Sequence, residues 1–162
     1  MRKLALSDEI LMQIEKPARY IGNELNSVVK DDTSQIRFAM CFPDVYEIGM
    51  SHLGIQILYD MFNRREDTWC ERVYSPWPDL HKIMKEQNIP LFGLESQEPI
   101  KNFDFVGLTL QYEMCYTNIL QILDLAHNAF STKINPLPSA EYGGLSKNTF
   151  AGYLVSFKAP CS

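Results

Sequence analysis

Reactive side chains are concentrated in the segment that follows the first long apolar run of the chain. They supply two carboxylates, a phenol, a hydroxyl and an imidazole, at Asp44, Tyr46, Glu47, Ser51 and His52. Gly49 lies among them, and a glycine allows the backbone to turn or to approach a ligand closely. An apolar helical pattern begins directly afterwards, and the positive end of a helix favours anionic or strongly polar ligands. The segment therefore predicts a site for such a ligand.

This segment differs from the common nucleotide-binding loops. It reads FPDVYEIGMSHLG, which contains neither the G-x-G-x-x-G of a dinucleotide fold nor the G-x-x-x-x-G-K-[ST] of a phosphate loop. It also lacks the Ser- and Thr-rich loop that a flavodoxin-like binder would need. Asp44 and Glu47 could instead pair as an acid–base or magnesium site, as in receiver domains. That alternative requires a further acid and a lysine, which Thr109-Leu110-Gln111 does not supply.

Apolar runs and helical periodicity alternate along the chain. Strands are predicted at residues 36–42, 70–74, 89–94 and 103–110, and helices at 51–63, 79–87 and 116–126. Ser51 is the expected N-cap of the first of these helices. The expected core face of that helix contains Leu53, Ile57, Leu58, Met61 and Phe62. The alternation predicts an α/β fold, a three-layer doubly wound and mainly parallel sheet of the flavodoxin-like type.

The positions of the loops extend the candidate site. In an open parallel sheet, ligands bind beyond the carboxyl ends of the strands. Three loops meet that condition, at residues 44–52, 75–79 and 109–115. The third loop adds Thr109 and Gln111 to the candidate residues. Aromatic side chains there could stack on a planar ligand or simply pack at the rim of the core, and these are Trp77, Tyr112 and Tyr116.

The pattern divides the chain into three parts. Residues 1–30 are expected to form a helical extension, 31–126 the α/β domain, and 127–162 an atypical or truncated tail rich in turn formers. Residues 150–157 could add a last strand there. An apolar face left bare at such an end would also allow two copies of the chain to form a homodimer.

Composition excludes several classes of protein. A net charge of -5 argues against nucleic-acid binding, which needs clustered Lys and Arg. No apolar run approaches the ~20 residues of a membrane-spanning helix, and the start of the chain has no apolar signal region. We therefore expect a cytoplasmic protein without a membrane partner. The cysteines are too far apart for a metal motif and are expected to be buried free thiols, at Cys41, Cys70, Cys115 and Cys161.

Two short motifs and several longer segments resemble known proteins. Asp44-x-Tyr46-x-x-Gly49 resembles the D-x-H-x-x-G loop of cobalamin-binding domains, with tyrosine in the histidine position. The strand DFVGLT, which ends at Thr109, resembles the later strand of that family whose hydroxyl meets the nucleotide tail of the cofactor. The segments EKPARYIGNE, FPDVYEIGMSHLGIQILY, WCERVYSPWPD, IPLFGLES and DFVGLTLQYEMCYTNILQILDLA resemble the N-terminal region of a group of radical S-adenosylmethionine (SAM) proteins. This resemblance covers residues 15–126.

The resemblance implies an accessory domain that holds a corrinoid or a substrate over a catalytic domain. The cofactor contacts would come from Asp44, Tyr46, Glu47, Gly49, Ser51, His52, Thr109 and Gln111. A phenol is a poor replacement for the imidazole that coordinates cobalt, so cobalamin would bind without a protein nitrogen ligand. The alternative is an interaction or scaffold domain that kept the fold and lost the cofactor.

The catalytic chemistry of the resembled family requires a second domain. Three cysteines in a Cys-x-x-x-Cys-x-x-Cys motif hold a 4Fe-4S cluster whose fourth iron binds SAM. The present sequence has no such spacing. The resemblance therefore implies that the 4Fe-4S cluster and SAM belong to a downstream radical SAM domain, which would be the partner of this chain. We do not expect the chain alone to be catalytic.

Overall fold

A four-stranded sheet runs through the centre of the computed structural model, which describes residues 4–30, 36–126 and 153–158. The strands are β1 (Ile36–Phe42), β2 (Thr68–Tyr74), β3 (Phe105–Leu110) and β4 (Tyr153–Lys158), in the spatial order β2-β1-β3-β4. β1 pairs in parallel with β2 and β3, whereas β4 runs antiparallel to β3. The predicted α/β fold with a mainly parallel sheet is confirmed. Apart from β4, the predicted tail and Cys161 lie outside the described residues.

Helices follow the strands, as the periodicity predicts. They are α1 (Asp8–Leu11), α2 (Ala18–Ile21), α3 (Tyr46–Ser51), α4 (Leu53–Asn63), α5 (Pro78–Gln87) and α6 (Tyr116–Leu125). Single 3₁₀ turns occupy Ile100–Asn102 and Glu113–Cys115. None of the helices in the described ranges is long and apolar enough to cross a bilayer. The segment expected to be a loop before α4 is partly helical, because residues 46–51 form α3.

The side chains of β1 divide the interior into two apolar layers. Ala39 and Cys41 face one layer, which also receives α5, α6 and the N-terminal segment around Ile10. Phe38 and Met40 face the other layer, which packs against α4. The sheet is thus covered on both faces, which explains why its strands read as continuous apolar runs. Cys41, Cys70 and Cys115 are buried free thiols, as predicted.

The core face of α4 differs from the prediction. Leu53, Ile57 and Met61 point outward and are 71%, 53% and 51% exposed, whereas Ile55 and Tyr59 are buried. Leu58 and Phe62 pack partly against the core, as expected. The helix is apolar on both sides, so a helical period fits two different faces and does not select between them.

The outer edge of β2 is covered by an irregular segment where a strand was predicted at 89–94. The amide of Leu94 donates to the carbonyl of Arg72 at 2.9 Å. The Glu95 carboxylate accepts from the amide of Arg72 at 2.8 Å, and Glu71 accepts from the amide of Ser96 at 2.7 Å. Carboxylates therefore replace part of a strand ladder and close an edge that could otherwise pair with another chain. The prediction of a strand there is wrong, and only an isolated bridge joins Phe92 and Pro99 in this part of the described chain.

Candidate functional site

The loops after β1, β2 and β3 are tied together at one edge of the sheet, here called the carboxyl edge (residues 43–45, 75–77 and 111–115). The amide of Ser75 donates to the carbonyl of Asp44 at 3.0 Å. The hydroxyl of Tyr112 donates to Asp44 Oδ2 at 2.9 Å. The Asn118 amide group, on α6, donates to the carbonyl of Pro43 at 2.9 Å. These bonds hold the predicted ligand-binding edge in one arrangement.

Asp44 is the predicted site residue that joins two of these loops. Its Oδ1 accepts from the amide of Val45 at 2.8 Å while Oδ2 accepts from Tyr112. The hydrogen bond with Cys115 and the negative charge of Asp44 raise the pKa of Tyr112 to about 12. Tyr112 is therefore protonated near neutral pH and acts as the donor. Both carboxylate oxygens of Asp44 are engaged in holding loops.

Tyr46 stands where the cobalamin-binding motif has histidine, and its ring turns onto Tyr74. The two ring centroids are 5.6 Å apart with the planes at 83°, an edge-to-face contact. Burial, followed by the negative charge of Glu24, raises the pKa of Tyr46 to about 12. The phenol therefore keeps its proton near neutral pH. A neutral phenol packed against a neighbouring ring is poorly suited to coordinate a metal.

Gly49 lies inside α3 and is buried against the same tyrosine ring. A Cβ at this position would lie 2.2 Å from Tyr74 Cε1 and 2.5 Å from Tyr74 Cδ1. It would also come within 3.2 Å of Phe42. Real Cβ atoms do not approach other carbons so closely, because such overlap is strongly repulsive. The space that the glycine leaves is filled by Tyr74, so the close approach that Gly49 allows is to this ring.

Glu47 is directed to the N-terminal segment. Its Oε1 accepts from Arg19 Nε at 2.9 Å and lies 3.5 Å from Lys16 Nζ. The hydrogen bond from Arg19 lowers the pKa of Glu47. The Arg19 guanidinium also lies 4.9 Å from the ring of Trp77. Glu47 therefore anchors residues 16–19 to α3 and the carboxyl edge, and does not pair with Asp44.

Ser51 and His52 lie at the junction between α3 and α4. Ser51 ends α3, and its hydroxyl donates to the carbonyl of Ile48 at 2.9 Å. His52 is the N-cap of α4, where its Nδ1 accepts from the amide of Ile55 at 3.4 Å. The prediction of Ser51 as N-cap is wrong because the extra helix α3 moves the start of α4 by two residues. His52 also packs beside Phe42, with ring centroids 5.2 Å apart.

Thr109 and Gln111 lie at the end of β3 and directly after it. Thr109 is buried at the end of β3, and its hydroxyl donates to the carbonyl of Cys41 at 3.4 Å. Gln111 is half-buried in the loop that follows. The structure thus brings Asp44 and Gln111 to the carboxyl edge. It places Tyr46, Glu47 and Gly49 on contacts with β2 and the N-terminal segment.

A buried charged cluster was missed by the sequence reasoning. Arg72 Nε donates to Glu95 Oε1 at 2.6 Å, and both side chains are fully buried. Arg72 Nη2 lies 3.3 Å from Glu24, and the guanidinium lies 4.6 Å from the ring of Tyr59. Burial raises the pKa of Glu95 to about 7. Charged residues inside the otherwise apolar segments WCERVY and FGLES were the available signal, because buried charges occur mainly as pairs.

Exposed apolar side chains gather at the carboxyl edge. Met114, in the loop after β3, is 81% exposed, and Tyr116, the first residue of α6, is 55% exposed. Tyr112 and Trp77 are also exposed. The Gln121 amide on α6 donates to the carbonyl of Pro76 at 3.4 Å, which brings the loop after β2 beside this region. Large apolar side chains grouped on a surface are typical of contact sites.

The residues of the cobalamin-like motif do not fit a corrinoid. Tyr46 packs on Tyr74, the ring of Tyr74 fills the space above Gly49, and His52 uses Nδ1 to cap α4. The motif therefore offers neither a free imidazole nor an open backbone approach. Within the described ranges, no group of three His, Cys, Asp or Glu side chains is placed to hold a metal ion. A hollow of about 480 Å³ lies beside residues 89–99, and its lining includes none of the predicted site residues.

The fold and these contacts define a doubly wound α/β domain whose first loop is packed into the protein. Residues 54–133 match the family described as radical SAM proteins, N-terminal. An uncharacterised protein of Methanocaldococcus jannaschii is 29% identical over 91 residues, which are 56% of this chain and 16% of that protein. The chain thus spans a small part of the length of this relative. No solved structure matches the chain significantly.

The family match relates residues 54–133 to the N-terminal region of radical SAM proteins. The family match begins at residue 54, after the loop that carries Asp44, Tyr46 and Gly49. The family match therefore does not depend on the Asp44-x-Tyr46-x-x-Gly49 motif, although it includes the strand that ends at Thr109.

Proposed function

We propose that this chain is a non-catalytic interaction domain of a radical SAM protein, which contacts the catalytic domain through its carboxyl edge. The observation that carries the proposal is the group of exposed apolar side chains on a rigidly tied edge, among them Met114 at 81% exposure. The match to the N-terminal region of radical SAM proteins supports the kind of partner.

The packing of the loop after β1 favours this function over cofactor binding. A corrinoid site would need space beyond Gly49 and a side chain free to approach the metal. Tyr74 occupies that space, and the phenol of Tyr46 is held between Tyr74 and the charge of Glu24. The interaction hypothesis requires only the surface, so it is compatible with both contacts.

The chemistry of the edge indicates how such a contact would be held. Aromatic and methionine side chains are enriched in the buried centres of interfaces, and charged residues surround them. Met114, Tyr112 and Tyr116 would supply the apolar centre, with Glu113 between them. Asp44 and Tyr112 already bond to one another, so binding would order few additional side chains.

The association can be tested with two exposed methionines. The chain is titrated into the separately purified catalytic domain of its own radical SAM protein, and isothermal titration calorimetry measures the dissociation constant. Met114→Asp places a charge in the apolar centre and should weaken the association at least about tenfold. Met12→Asp is the matched control, since Met12 is 87% exposed but lies next to α1. Equal affinities of the two variants, or no association of the unaltered chain, would contradict the proposal.

A further inference from the structure

Hydrogen-bond donors converge on the sulfur of Met50, near the end of α3. Arg72 Nη1 lies 3.2 Å from Met50 Sδ, and the hydroxyl of Tyr74 lies 3.1 Å from it. The side-chain amide of Gln56 approaches the same sulfur at 3.8 Å. Two elements, β2 and α4, thus direct polar hydrogens at one thioether on α3.

The acceptor is weak for the donors that meet it. Arg72 is fully buried and Tyr74 is 8% exposed. Buried donors are stabilised by strong oxygen acceptors, whereas a thioether sulfur accepts hydrogen bonds poorly. An oxygen atom attached to this sulfur would satisfy the same donors better than the sulfur does.

We propose that Met50 is a site of reversible oxidation by a hydroperoxide. The thioether sulfur attacks one oxygen of hydrogen peroxide, and the S–O bond forms as the O–O bond breaks. The other oxygen leaves as hydroxide, which takes the proton of the transferred oxygen and becomes water. The sulfur loses two electrons and the peroxide gains them. The unbranched Met50 side chain rotates to move its sulfur back by about the length of the S–O bond, and the sulfoxide oxygen then accepts from Tyr74 and Arg72 and joins α3 to β2 more strongly. This inference does not depend on the proposed contact with a catalytic domain.

Other methionines lack this combination of access and donors. Met12, Met61 and Met114 are 87%, 51% and 81% exposed, so their sulfoxides would face water. Met40 and Met84 are buried in the apolar core, with exposed fractions of 1% and 0%. A sulfoxide would be destabilising in these surroundings. Met50 is half-buried, so it is neither sealed in the apolar core nor fully exposed to water. Met50 is therefore the described methionine at which oxidation should strengthen the fold.

The experiment compares the unaltered chain with Met50→Leu before and after treatment with hydrogen peroxide. Peptide mass mapping identifies which methionines gain one oxygen, and thermal unfolding gives the midpoint of each sample. Oxidation of the other methionines is common to both proteins. The change in unfolding midpoint of the unaltered chain minus the change in Met50→Leu therefore measures the effect of oxidising Met50. We expect this difference to be an increase of about 3 °C, reversed by methionine sulfoxide reductases. A difference of zero or a decrease, or no oxidation of Met50 when Met114 is fully oxidised, would overturn the proposal.

A second pair of variants tests the donors without any oxidant. Met50→Gln places a strong oxygen acceptor near the position of the sulfoxide and should raise the unfolding midpoint relative to Met50→Leu. In a Tyr74→Phe background one donor is gone, and the advantage of glutamine over leucine should shrink by about half. If the difference in unfolding midpoint between glutamine and leucine is unchanged in the Tyr74→Phe background, the donors around the sulfur do not cause it. That result would contradict the proposal.

Discussion

The hydroxyl of Tyr112 donates a hydrogen bond to Asp44 Oδ2 at 2.9 Å, so the loops after two adjacent parallel strands are joined directly. In doubly wound folds, ligands enter between such loops. Here the acidic residue of the cobalamin-like motif is engaged by a side chain of the same protein. Asp44 therefore orders the carboxyl edge as a surface.

Removal of this bond should loosen the edge locally. In Tyr112→Phe, Asp44 loses its partner from the loop after β3, and we expect the amides of Asp44 and Val45 to exchange with solvent several-fold faster. The global unfolding midpoint should change little, because Tyr112 is exposed. Hydrogen exchange followed by mass spectrometry measures both loops. The control is Tyr116→Phe at a neighbouring exposed tyrosine, and equal exchange in the two variants would show that the bond does not order the edge.

Gly49→Ala should destabilise the protein by about 1–3 kcal/mol, because its Cβ would overlap the ring of Tyr74. Chemical denaturation measures the free energy of unfolding. Gly54→Ala is the matched control. Its Cβ would lie 3.1 Å from the end of the His52 ring, and alanine has a higher helix propensity than glycine. We expect that control to change stability by less than about 1 kcal/mol. If the alanine at position 49 costs as much in a Tyr74→Leu background as in the original protein, the overlap is not its cause.

Stability should depend on pH through Glu95. Burial raises its pKa from 4.5 to about 7, so between these values the folded state binds more protons than the unfolded state. The contribution of Glu95 to the free energy of unfolding is therefore at its maximum below pH 4.5, and it is lost as the pH rises to about 7. Glu95→Gln lacks the titration. The stability of the unaltered chain minus that of Glu95→Gln should fall over this range and stay constant above it. A difference that rises with pH there would contradict the assignment.

The main strands could be predicted because burial on both faces of the sheet gives a continuous apolar run in the sequence. β1 reads as seven residues that are almost all apolar, and its predicted bounds are those observed. The core face of α4 was less predictable, because apolar residues occupy both sides of the helix. Leu53 and Ile55 are both aliphatic, yet the first is exposed and the second is buried. The segment 89–94 is apolar like a strand, but the carboxylates of Glu71 and Glu95 take over the edge of β2.

The candidate site was predictable in its location and less so in its contacts. The rule for parallel sheets places Asp44 at the carboxyl edge, where it is found. Its bond to Tyr112 joins residues 68 positions apart, and no local pattern marks such a pair. The ring of Tyr74 above Gly49 is equally invisible in the sequence, since a glycine fits a ligand and a packed aromatic ring alike.

The central claim is that the loop after β1 is an internal contact and holds no corrinoid. Titration of the chain with hydroxocobalamin, followed by the absorbance bands of the corrin, tests it most directly. We expect a dissociation constant above about 100 μM for the unaltered chain. Tyr46→His should bind no better, because restoring the imidazole leaves Tyr74 over Gly49. Submicromolar binding by the unaltered chain, or by Tyr46→His alone, would contradict the claim.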